Sequence, residues 1–319
     1  MSLFNWIKQA LGRARSPADL ARWLQLPEAE LRLWLDQRPA WTRGYEYRSF
    51  TLPKKRGGTR VIDAPTEKLK ALQHRILRRL LNPLRPHPAA TGFVPGLSIV
   101  DNARPHAGQG VVINLDLENF FPSITPARVE AVFRAHGWDA EAARILTAIC
   151  TYENALPQGA PTSPALSNLV CRKLDARLAA LAEYFDGAYT RYADDLTLSF
   201  PSFGRNRRLR RHAGRPTPGW RPKPGPAAPR TLLTWVRAIL EAEGFRIQLK
   251  KKVRVQRPHQ RQTATGLVVN EVVNLPRAVR RRIRAMQHRE RLGQLDEAGR
   301  QRLRGWEALA HMVANQREG

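Results

Sequence analysis

The sequence is poor in cysteine, poor in acidic residues and without a long apolar run. Its two cysteines, Cys150 and Cys171, lack the spacing of a disulfide framework or a metal-binding motif, which favours a reducing compartment. Residues 1–15 contain no apolar stretch of the kind that a signal peptide or membrane-spanning helix needs. No internal repeat is visible. We therefore expect a cytoplasmic protein with no membrane partner.

The shortage of acidic residues bears on the partner of the chain. The 319 residues include 54 Lys and Arg against 27 Asp and Glu, a formal net charge of +27. An excess of this size implies a polyanionic partner, most simply nucleic acid. A coding bias towards arginine is the alternative, but it would not explain the shortage of acids. A chain of this length can bury a real core and is expected to form one multi-lobed unit.

Two of the acids are adjacent and stand between alternating apolar runs. The sequence Tyr-Ala-Asp-Asp at 192–195 separates the run 187–191 from the run 196–200. Two short β-type segments around a tight turn predict a hairpin with Asp194 and Asp195 at its tip. Because neighbouring side chains in a strand point to opposite faces, only a turn lets both carboxylates reach one ion. An Asp-Asp pair by itself is more often a solvated turn.

A third acid upstream strengthens the functional interpretation. Asp116 ends the apolar, strand-like run 111–116, and Phe120 and Phe121 follow it. Three carboxylates on two strand ends can hold two hard cations, which prefer oxygen ligands. Two such cations close together drive phosphoryl and nucleotidyl transfer. Alone, Asp116 could equally cap a helix.

The other segments predict a mixture of helices and strands. Residues 1–44 are expected to form a small helical lobe. Residues 45–65 predict a basic hairpin, either a soluble edge or a grip for a triphosphate through Lys54, Lys55, Arg56 and Arg60. Helices are predicted at 66–84, 126–150, 163–184 and 231–243, and strands at 245–257 and 263–273.

Two stretches carry much of the positive charge. Residues 201–230 hold nine Arg and Lys, seven Pro and no acid, so alone they should be loosely ordered. We interpret them as an insertion that contacts nucleic acid, with a plain spacer as the alternative. The segment from Leu275 predicts a helix with the apolar stripe Val279, Ile283 and Met286. Its arginines would face phosphates from the other side.

Taken in order, these motifs resemble those of a reverse transcriptase. The basic hairpin is followed by the Asp116 strand, by Leu-Pro-Gln-Gly-Ala-Pro-Thr-Ser-Pro at 156–164, and by Tyr-Ala-Asp-Asp. Within that family the chain resembles the bacterial retron enzymes in three places: Thr91-Gly92-Phe93 with the Asn-Ala-x-x-His element at 102–106, the segment 156–168, and the segment 265–270 that begins with Thr265-Gly266. Group II intron enzymes and other defence-associated reverse transcriptases are the nearest rivals. A non-catalytic RNA-binding scaffold is the alternative of a different class.

The resemblance implies an α+β fold of the right-hand polymerase type, with fingers, a palm of antiparallel sheet plus helices, and a helical basic thumb. It divides the chain into an N-terminal helical region at 1–44, fingers and palm at 45–273 with the insertion at 201–230, and an RNA-binding thumb at 274–319.

The resemblance also implies roles for individual residues. The catalytic residues would be Asp116, Asp194, Asp195 and Lys251, the last protonating pyrophosphate. The three acids would bind two Mg²⁺, with Leu117 included among the metal-binding positions as a backbone neighbour. The nucleotide-binding residues would be Lys54, Arg60, Phe121, Gln158, Gly159 and Tyr192. Phe121 would exclude a ribose 2′-hydroxyl, or else be an ordinary core residue. The RNA-binding residues would be Asn102, His106, Thr265, Gly266, Arg277, Arg281 and Arg284. His106 is equally expected to hydrogen-bond within the fold.

The function implied is RNA-directed DNA synthesis on a cognate structured non-coding RNA. Synthesis would start from an internal 2′-hydroxyl, consume deoxynucleoside triphosphates and leave single-stranded DNA joined to the RNA. The wider role would be anti-phage defence with a separate effector protein. No nuclease or toxin domain is recognisable in the sequence, which agrees with an effector encoded elsewhere.

Overall fold

The computed structural model describes residues 14–35, 46–53, 57–201, 229–248 and 253–317. The chain divides into two units, residues 1–87 with 119–172 and residues 88–118 with 173–319. Both combine helices with antiparallel strands, in agreement with the predicted α+β class. Neither unit begins or ends at residue 44 or residue 273. The domain boundaries predicted at these two positions therefore stay predictions.

The described residues contain eight strands and eleven α-helices in chain order. The strands are β1 (Tyr47–Pro53), β2 (Thr59–Pro65), β3 (Val111–Asp116), β4 (Ala188–Tyr192), β5 (Asp195–Phe200), β6 (Arg254–Gln256), β7 (Thr263–Ala264) and β8 (Leu267–Val268). The helices are α1 (Pro17–Leu24), α2 (Glu28–Arg32), α3 (Glu67–Ile76), α4 (Ile99–Ala103), α5 (Pro126–Ala135), α6 (Ala140–Cys150), α7 (Ser163–Val170), α8 (Arg172–Tyr184), α9 (Pro229–Ala242), α10 (Arg277–Arg291) and α11 (Glu297–Arg317).

In the first unit, helix α1 begins where a side chain satisfies the free backbone groups of its first turn. The hydroxyl of Ser16 accepts from the backbone N–H of Asp19, whose carboxylate accepts from the backbone N–H of Ser16. Leu20, Leu24 and Leu31 of α1 and α2 are fully buried. The helical prediction for 1–44 is therefore confirmed at 17–24 and 28–35, and residues 1–13 and 36–44 lie outside the described residues.

Helical periodicity located the apolar stripes of this unit but missed two breaks. The predicted stripe of α3 is confirmed, since Leu69, Leu72 and Ile76 are buried. The helix predicted at 126–150 is two helices, because Gly137 adopts a positive φ of 86° after α5 and the Asp139 carboxylate caps α6. The helix predicted at 163–184 also divides, between α7 and α8.

The second unit is built on a four-stranded antiparallel sheet with the order β4-β5-β3-β6. Alternate side chains face opposite sides of the sheet. On one side the aromatic ring of Phe185 packs against Phe200 of β5 and stacks on Trp235 of α9, with ring centroids 6.5 Å and 5.5 Å away. The strands predicted at 245–257 and 263–273 are shorter, being β6 and the two-residue strands β7 and β8, and residues 249–252 lie outside the described residues.

The last two helices of this unit close a second hydrophobic cluster. Ile283 of α10 packs with Leu303 and Val313 of α11, and this cluster extends to Val100 of α4 and to Leu275. The predicted stripe of α10 is confirmed, with Val279 and Met286 partly buried beside Ile283. Along the described ranges of the chain, no helix is both long and apolar enough to span a bilayer.

Candidate active site

The predicted acidic hairpin is present in the second unit. Strands β4 and β5 pair in register from Ala188 with Ser199 to Tyr192 with Asp195. Two residues, Ala193 and Asp194, make the turn, and Ala193 takes a left-handed φ of 57°. The hairpin prediction is confirmed with one refinement. Asp194 lies in the turn, whereas Asp195 begins β5.

Asp116 reaches the same end of the sheet. It is the cross-strand partner of Asp195, and directly opposite residues of antiparallel strands have neighbouring side chains on one face. The backbone N–H of Leu117 donates to the carbonyl of Asp194 at 3.0 Å, and that of Gln248 donates to the carbonyl of Asp116 at 2.8 Å. Backbone bonds thus hold the ends of three strands that bring the acids together.

Two observations bear on whether these acids fit a cation. Desolvation by the surrounding protein raises the pKa of the Asp195 carboxyl, and nearby Arg254 acts in the opposite direction. A bound cation would reverse that upward shift. Nevertheless, the described residues contain no group of three His, Cys, Asp or Glu side chains placed to hold a metal ion. Only the chemistry of the donors suits a hard cation, because Asp116 and Asp195 face each other and Asp194 adds a third carboxylate in the adjoining turn.

The predicted inclusion of Leu117 among the metal-binding positions needs a restriction. Its side chain is buried and apolar, and its N–H is engaged by Asp194. Its backbone carbonyl is therefore its one atom that could contact a cation.

A fully buried ion pair supports the turn from behind, and sequence reasoning missed it. Arg191 of β4 donates to both carboxylate oxygens of Asp175 on α8, at 2.8 Å and 2.7 Å. The third guanidinium nitrogen of Arg191, Nη1, donates to the carbonyl of Ala193 at 3.2 Å, and the Tyr189 hydroxyl donates to Asp175 at 2.9 Å. The one sequence signal was an arginine at an inward position of an apolar strand, next to the acidic turn.

The segment 89–93 holds the turn from another side. The backbone N–H of Thr91 donates to the carbonyl of Arg191 at 2.9 Å. A Cβ added to Gly92 would lie 2.7 Å from the backbone nitrogen of Ala193, so glycine permits this approach. The ring of Phe93 lies 6.5 Å from that of Tyr192. Thr91-Gly92-Phe93, the first of the retron-like elements, therefore packs against the acidic turn and supports it.

Asn102 and His106 lie inside the second unit, and their predicted part in RNA binding stays a prediction. Both are fully buried. Asn102 accepts from the Thr91 hydroxyl at 2.7 Å. The two ring nitrogens of His106 bond to the hydroxyls of Ser199 and Thr190, at 2.7 Å and 2.8 Å. Burial lowers the pKa of His106 to about 3. Of the two alternatives for His106, the structure agrees with hydrogen bonding within the fold.

Thr265 and Gly266 form the turn between β7 and β8. Both have positive φ, 45° and 83°, which matches a two-residue hairpin turn of the primed type. The Thr265 hydroxyl donates to the carbonyl of Ile99 at 3.1 Å, so the turn is anchored to the start of α4. Gly266 is exposed.

The predicted nucleotide-binding residues, apart from Tyr192, belong to the first unit. The backbone N–H of Asp63 on β2 donates to the carbonyl of Gln158 at 3.0 Å, which pairs the 156–164 loop with the basic hairpin. Gly159 has a φ of 144°, and a Cβ there would lie 2.7 Å from the carbonyl oxygen of Asp63. Arg60 is exposed on β2, and Phe121 is half-buried. Lys54 and Lys251 lie outside the described residues.

The arginines predicted to contact RNA lie on α10 of the second unit. Arg277, Arg281 and Arg284 are all exposed, whereas Ile283 of the same helix is buried. This is the one-sided helix that the sequence predicted.

Comparison with known proteins identifies the relatives of the chain. A family model described as reverse transcriptase (RNA-dependent DNA polymerase) matches residues 52–263. The chain is 38% identical to the retron Mx162 reverse transcriptase of Myxococcus xanthus, over 92% of the chain and 63% of that relative. It is 38% identical to the retron Mx65 reverse transcriptase of the same species, over 94% of the chain and 68% of the relative. It is 37% identical to the retron Ec86 reverse transcriptase of Escherichia coli, over 83% of the chain and 76% of the relative.

Proposed function

The chain belongs to the reverse transcriptase family, among the retron enzymes, and from this premise we propose that it copies part of a cognate structured RNA into DNA. The proposal includes four finer points. Synthesis starts from an internal 2′-hydroxyl of the RNA, the product is single-stranded DNA joined to that RNA, the reaction uses two Mg²⁺, and deoxynucleoside triphosphates are the substrates.

The observation that carries the proposal is the facing pair of Asp116 and Asp195, with Asp194 in the adjoining turn. These carboxylates would hold Mg²⁺, which lowers the pKa of an attacking hydroxyl and supports the leaving pyrophosphate when bound. The backbone bonds around Leu117 and Gln248 would keep the acids in place during the reaction. A decayed, non-catalytic scaffold would have no need of this arrangement.

The residues of the first unit would contact the incoming nucleotide. Arg60, exposed on β2, would bind phosphate oxygens in a forked manner, and Lys54 would assist it. Gln158 and Gly159 would line the base and sugar.

A further role falls to Lys251, which would protonate the pyrophosphate.

Phe121 would exclude the 2′-hydroxyl of a ribonucleotide, and its half-buried position leaves ring surface for that contact. We expect Phe121→Ala to raise the use of ribonucleotides relative to deoxynucleotides, because the steric clash is gone. Competition between the two kinds of triphosphate measures this ratio. Phe120 is buried beside Phe121, with ring centroids 5.3 Å apart. Phe120→Ala is therefore the control, because it creates a packing defect without removing the ring of Phe121. An unchanged ratio in an active Phe121→Ala protein would return Phe121 to an ordinary packing role.

The exposed arginines of α10 would bind a stem of the RNA. A-form RNA offers phosphates and 2′-hydroxyls more readily than base edges, so shape would matter more than sequence. Holding the folded RNA with one 2′-hydroxyl beside the acids would supply much of the rate through positioning. We further propose that the protein acts in the cytoplasm, in anti-phage defence with a separate effector protein.

The test is to incubate the purified protein with the RNA encoded upstream of it and with deoxynucleotides, without a primer. The product is then treated with RNase and with debranching enzyme. DNA that keeps a short RNA remnant until debranching would support the proposal. A strict need for an external primer would overturn the priming step and leave the polymerase intact. Asp194→Ala, which should lower incorporation by roughly a thousandfold or more, shows that any product comes from this site.

A further inference from the structure

Two adjoining cavities of about 370 and 280 Å³ lie along α10 in the second unit. They share Asn274, Leu275 and Arg280 in their lining. The larger lies between α10 and α11, and the smaller lies between the start of α10 and the chain around β8. We call the two together the α10 groove.

The floor of the α10 groove is apolar. Leu275, Ile283 and Val313 form it from the cluster that joins the last two helices, and Ala314 of α11 lines it at the surface. The face of a nucleobase is flat and apolar, and it gains free energy when it leaves water for such a surface. Bases within a duplex are stacked on each other, so only an unpaired base can enter.

The rim of the α10 groove is basic. Arg280 and Arg284 line the larger cavity, and Arg261, Arg277 and Arg280 line the smaller one, together with one acid, Glu271. Within the part of the chain that the structure describes, none of these arginines makes a salt bridge, whereas Arg300 and Arg304 of α11 both pair with Glu297. Guanidinium groups without an acidic partner are available for phosphate.

Asn274 adds a directional group at the junction of the two cavities. Its side-chain oxygen accepts from the backbone N–H of Leu275 at 2.8 Å. The side-chain NH₂ of Asn274 is thus a donor, suited to an acceptor on a base edge or on a phosphate.

From this combination we infer that the α10 groove binds an unpaired nucleotide of the partner RNA, next to the stem that α10 contacts. The apolar floor would take the face of the base, and the arginines of the rim would take the flanking phosphates. The inference rests on the proposed function only in that the polyanion is an RNA. It differs from a duplex contact in a testable way, because it makes binding depend on a nucleotide outside the stem.

The helix itself offers a matched pair of variants. Arg280 lines both cavities, whereas Arg282 lies about 200° further round the helix and lines neither. Both are exposed, so Arg280→Gln and Arg282→Gln remove the same charge at little risk to folding. Ala314→Leu fills the groove without changing charge, at an exposed helical position where leucine is well tolerated.

The experiment compares two short RNA hairpins, one blunt and one with a single-stranded 3′ extension that contains 2-aminopurine. We expect the full-length protein to bind the extended hairpin about fivefold or more tightly than the blunt one. The 2-aminopurine fluorescence should change on binding. Arg280→Gln and Ala314→Leu should each bring this ratio of affinities close to one. Arg282→Gln should weaken the binding of both hairpins by the same factor, so the ratio of affinities should stay unchanged.

A ratio near one for the unchanged protein, or an equal loss of the ratio in Arg280→Gln and Arg282→Gln, would overturn the inference. Deoxynucleotide incorporation by the unchanged protein on a primed RNA template is measured separately. Normal incorporation together with a ratio of affinities near one would overturn nucleotide binding in the α10 groove and leave the proposed function intact. Absence of both incorporation and RNA binding would overturn the proposed function as well.

Discussion

At the scale of single residues, Arg191 and Asp175 form an ion pair in which both side chains are fully buried. A buried ion pair adds little net stability, because the loss of hydration offsets much of the attraction. Removing one partner, however, leaves an uncompensated charge in the interior. The pair also reaches the acidic turn through the Ala193 carbonyl, so its position has a consequence for the reacting residues. We interpret Arg191 as a positioning residue for Asp194 and Asp195.

We expect Asp175→Asn to lower the free energy of unfolding by about 3–5 kcal/mol, because Arg191 is left buried without its counter-charge. Deoxynucleotide incorporation by the remaining folded protein should also fall. Thermal unfolding and incorporation at saturating substrate measure the two effects.

The double variant Asp175→Leu with Arg191→Met separates stability from positioning. It removes both buried charges, so the stability should recover in large part. It also removes the guanidinium that bonds to Ala193, so incorporation should stay low. Full recovery of incorporation would show that the pair serves the fold alone.

His106 makes a second prediction at the residue scale, on the dependence of stability on pH. Burial holds its folded-state pKa near 3, below the ordinary value of 6.5, so the unfolded chain binds the proton more readily. Stability should therefore fall as the pH drops from about 6.5 towards 3, by about 1.4 kcal/mol per pH unit from this residue. His106→Gln keeps a hydrogen-bonding side chain that does not titrate. The difference between the two unfolding curves should shrink as the pH falls, and a constant difference would contradict the low pKa.

At the scale of elements, the sequence predicted what depends on local patterns and missed what depends on distant contacts. Periodicity found α3 and α10, and the Tyr-Ala-Asp-Asp turn found the β4–β5 hairpin. The break at Gly137 is an exception, because a glycine that can end one helix and Asp139, which can cap the next, are both local signals that were not used. Sequence reasoning could not find the partnership of Asp175 with Arg191, since nothing local indicates which buried arginine meets which buried acid. It also left the two roles of His106 open, because the hydrogen-bond partners Thr190 and Ser199 are distant in sequence.

The approach of segment 89–93 to the acidic turn makes a prediction at this scale. In Gly92→Ala the new methyl would lie 2.7 Å from the Ala193 nitrogen and 3.0 Å from the Tyr192 Cα, so backbone must move. We expect a loss of about 1–3 kcal/mol in stability and a clear loss of incorporation. Gly305→Ala in α11 is the control, because nothing lies within 4 Å of its added methyl. That control should gain about 0.5–1 kcal/mol. Normal incorporation by Gly92→Ala would mean that the turn tolerates displacement.

At the scale of the whole molecule, the net charge of +27 comes both from the residues that the structure describes and from residues outside them. Positive charge on a polymerase neutralises phosphates and releases their counterions, which ties affinity to salt concentration. The arginines of α10 contribute from a folded helix. Residues 202–228 contribute from outside the described residues, with eight Arg and Lys and no acid.

Replacing residues 202–228 with a Gly/Ser segment of the same length tests whether they bind RNA or only space the chain. The loss of eight positive charges should weaken RNA binding at low salt and make the slope of log affinity against log salt shallower. Each lost phosphate contact should reduce the slope by about 0.7–0.9. A segment with the same composition in scrambled order should keep the slope, because counterion release depends on charge rather than on sequence. An unchanged slope in the Gly/Ser protein would make residues 202–228 a spacer. It would also assign the RNA affinity to the folded surfaces, where α10 carries the densest group of arginines.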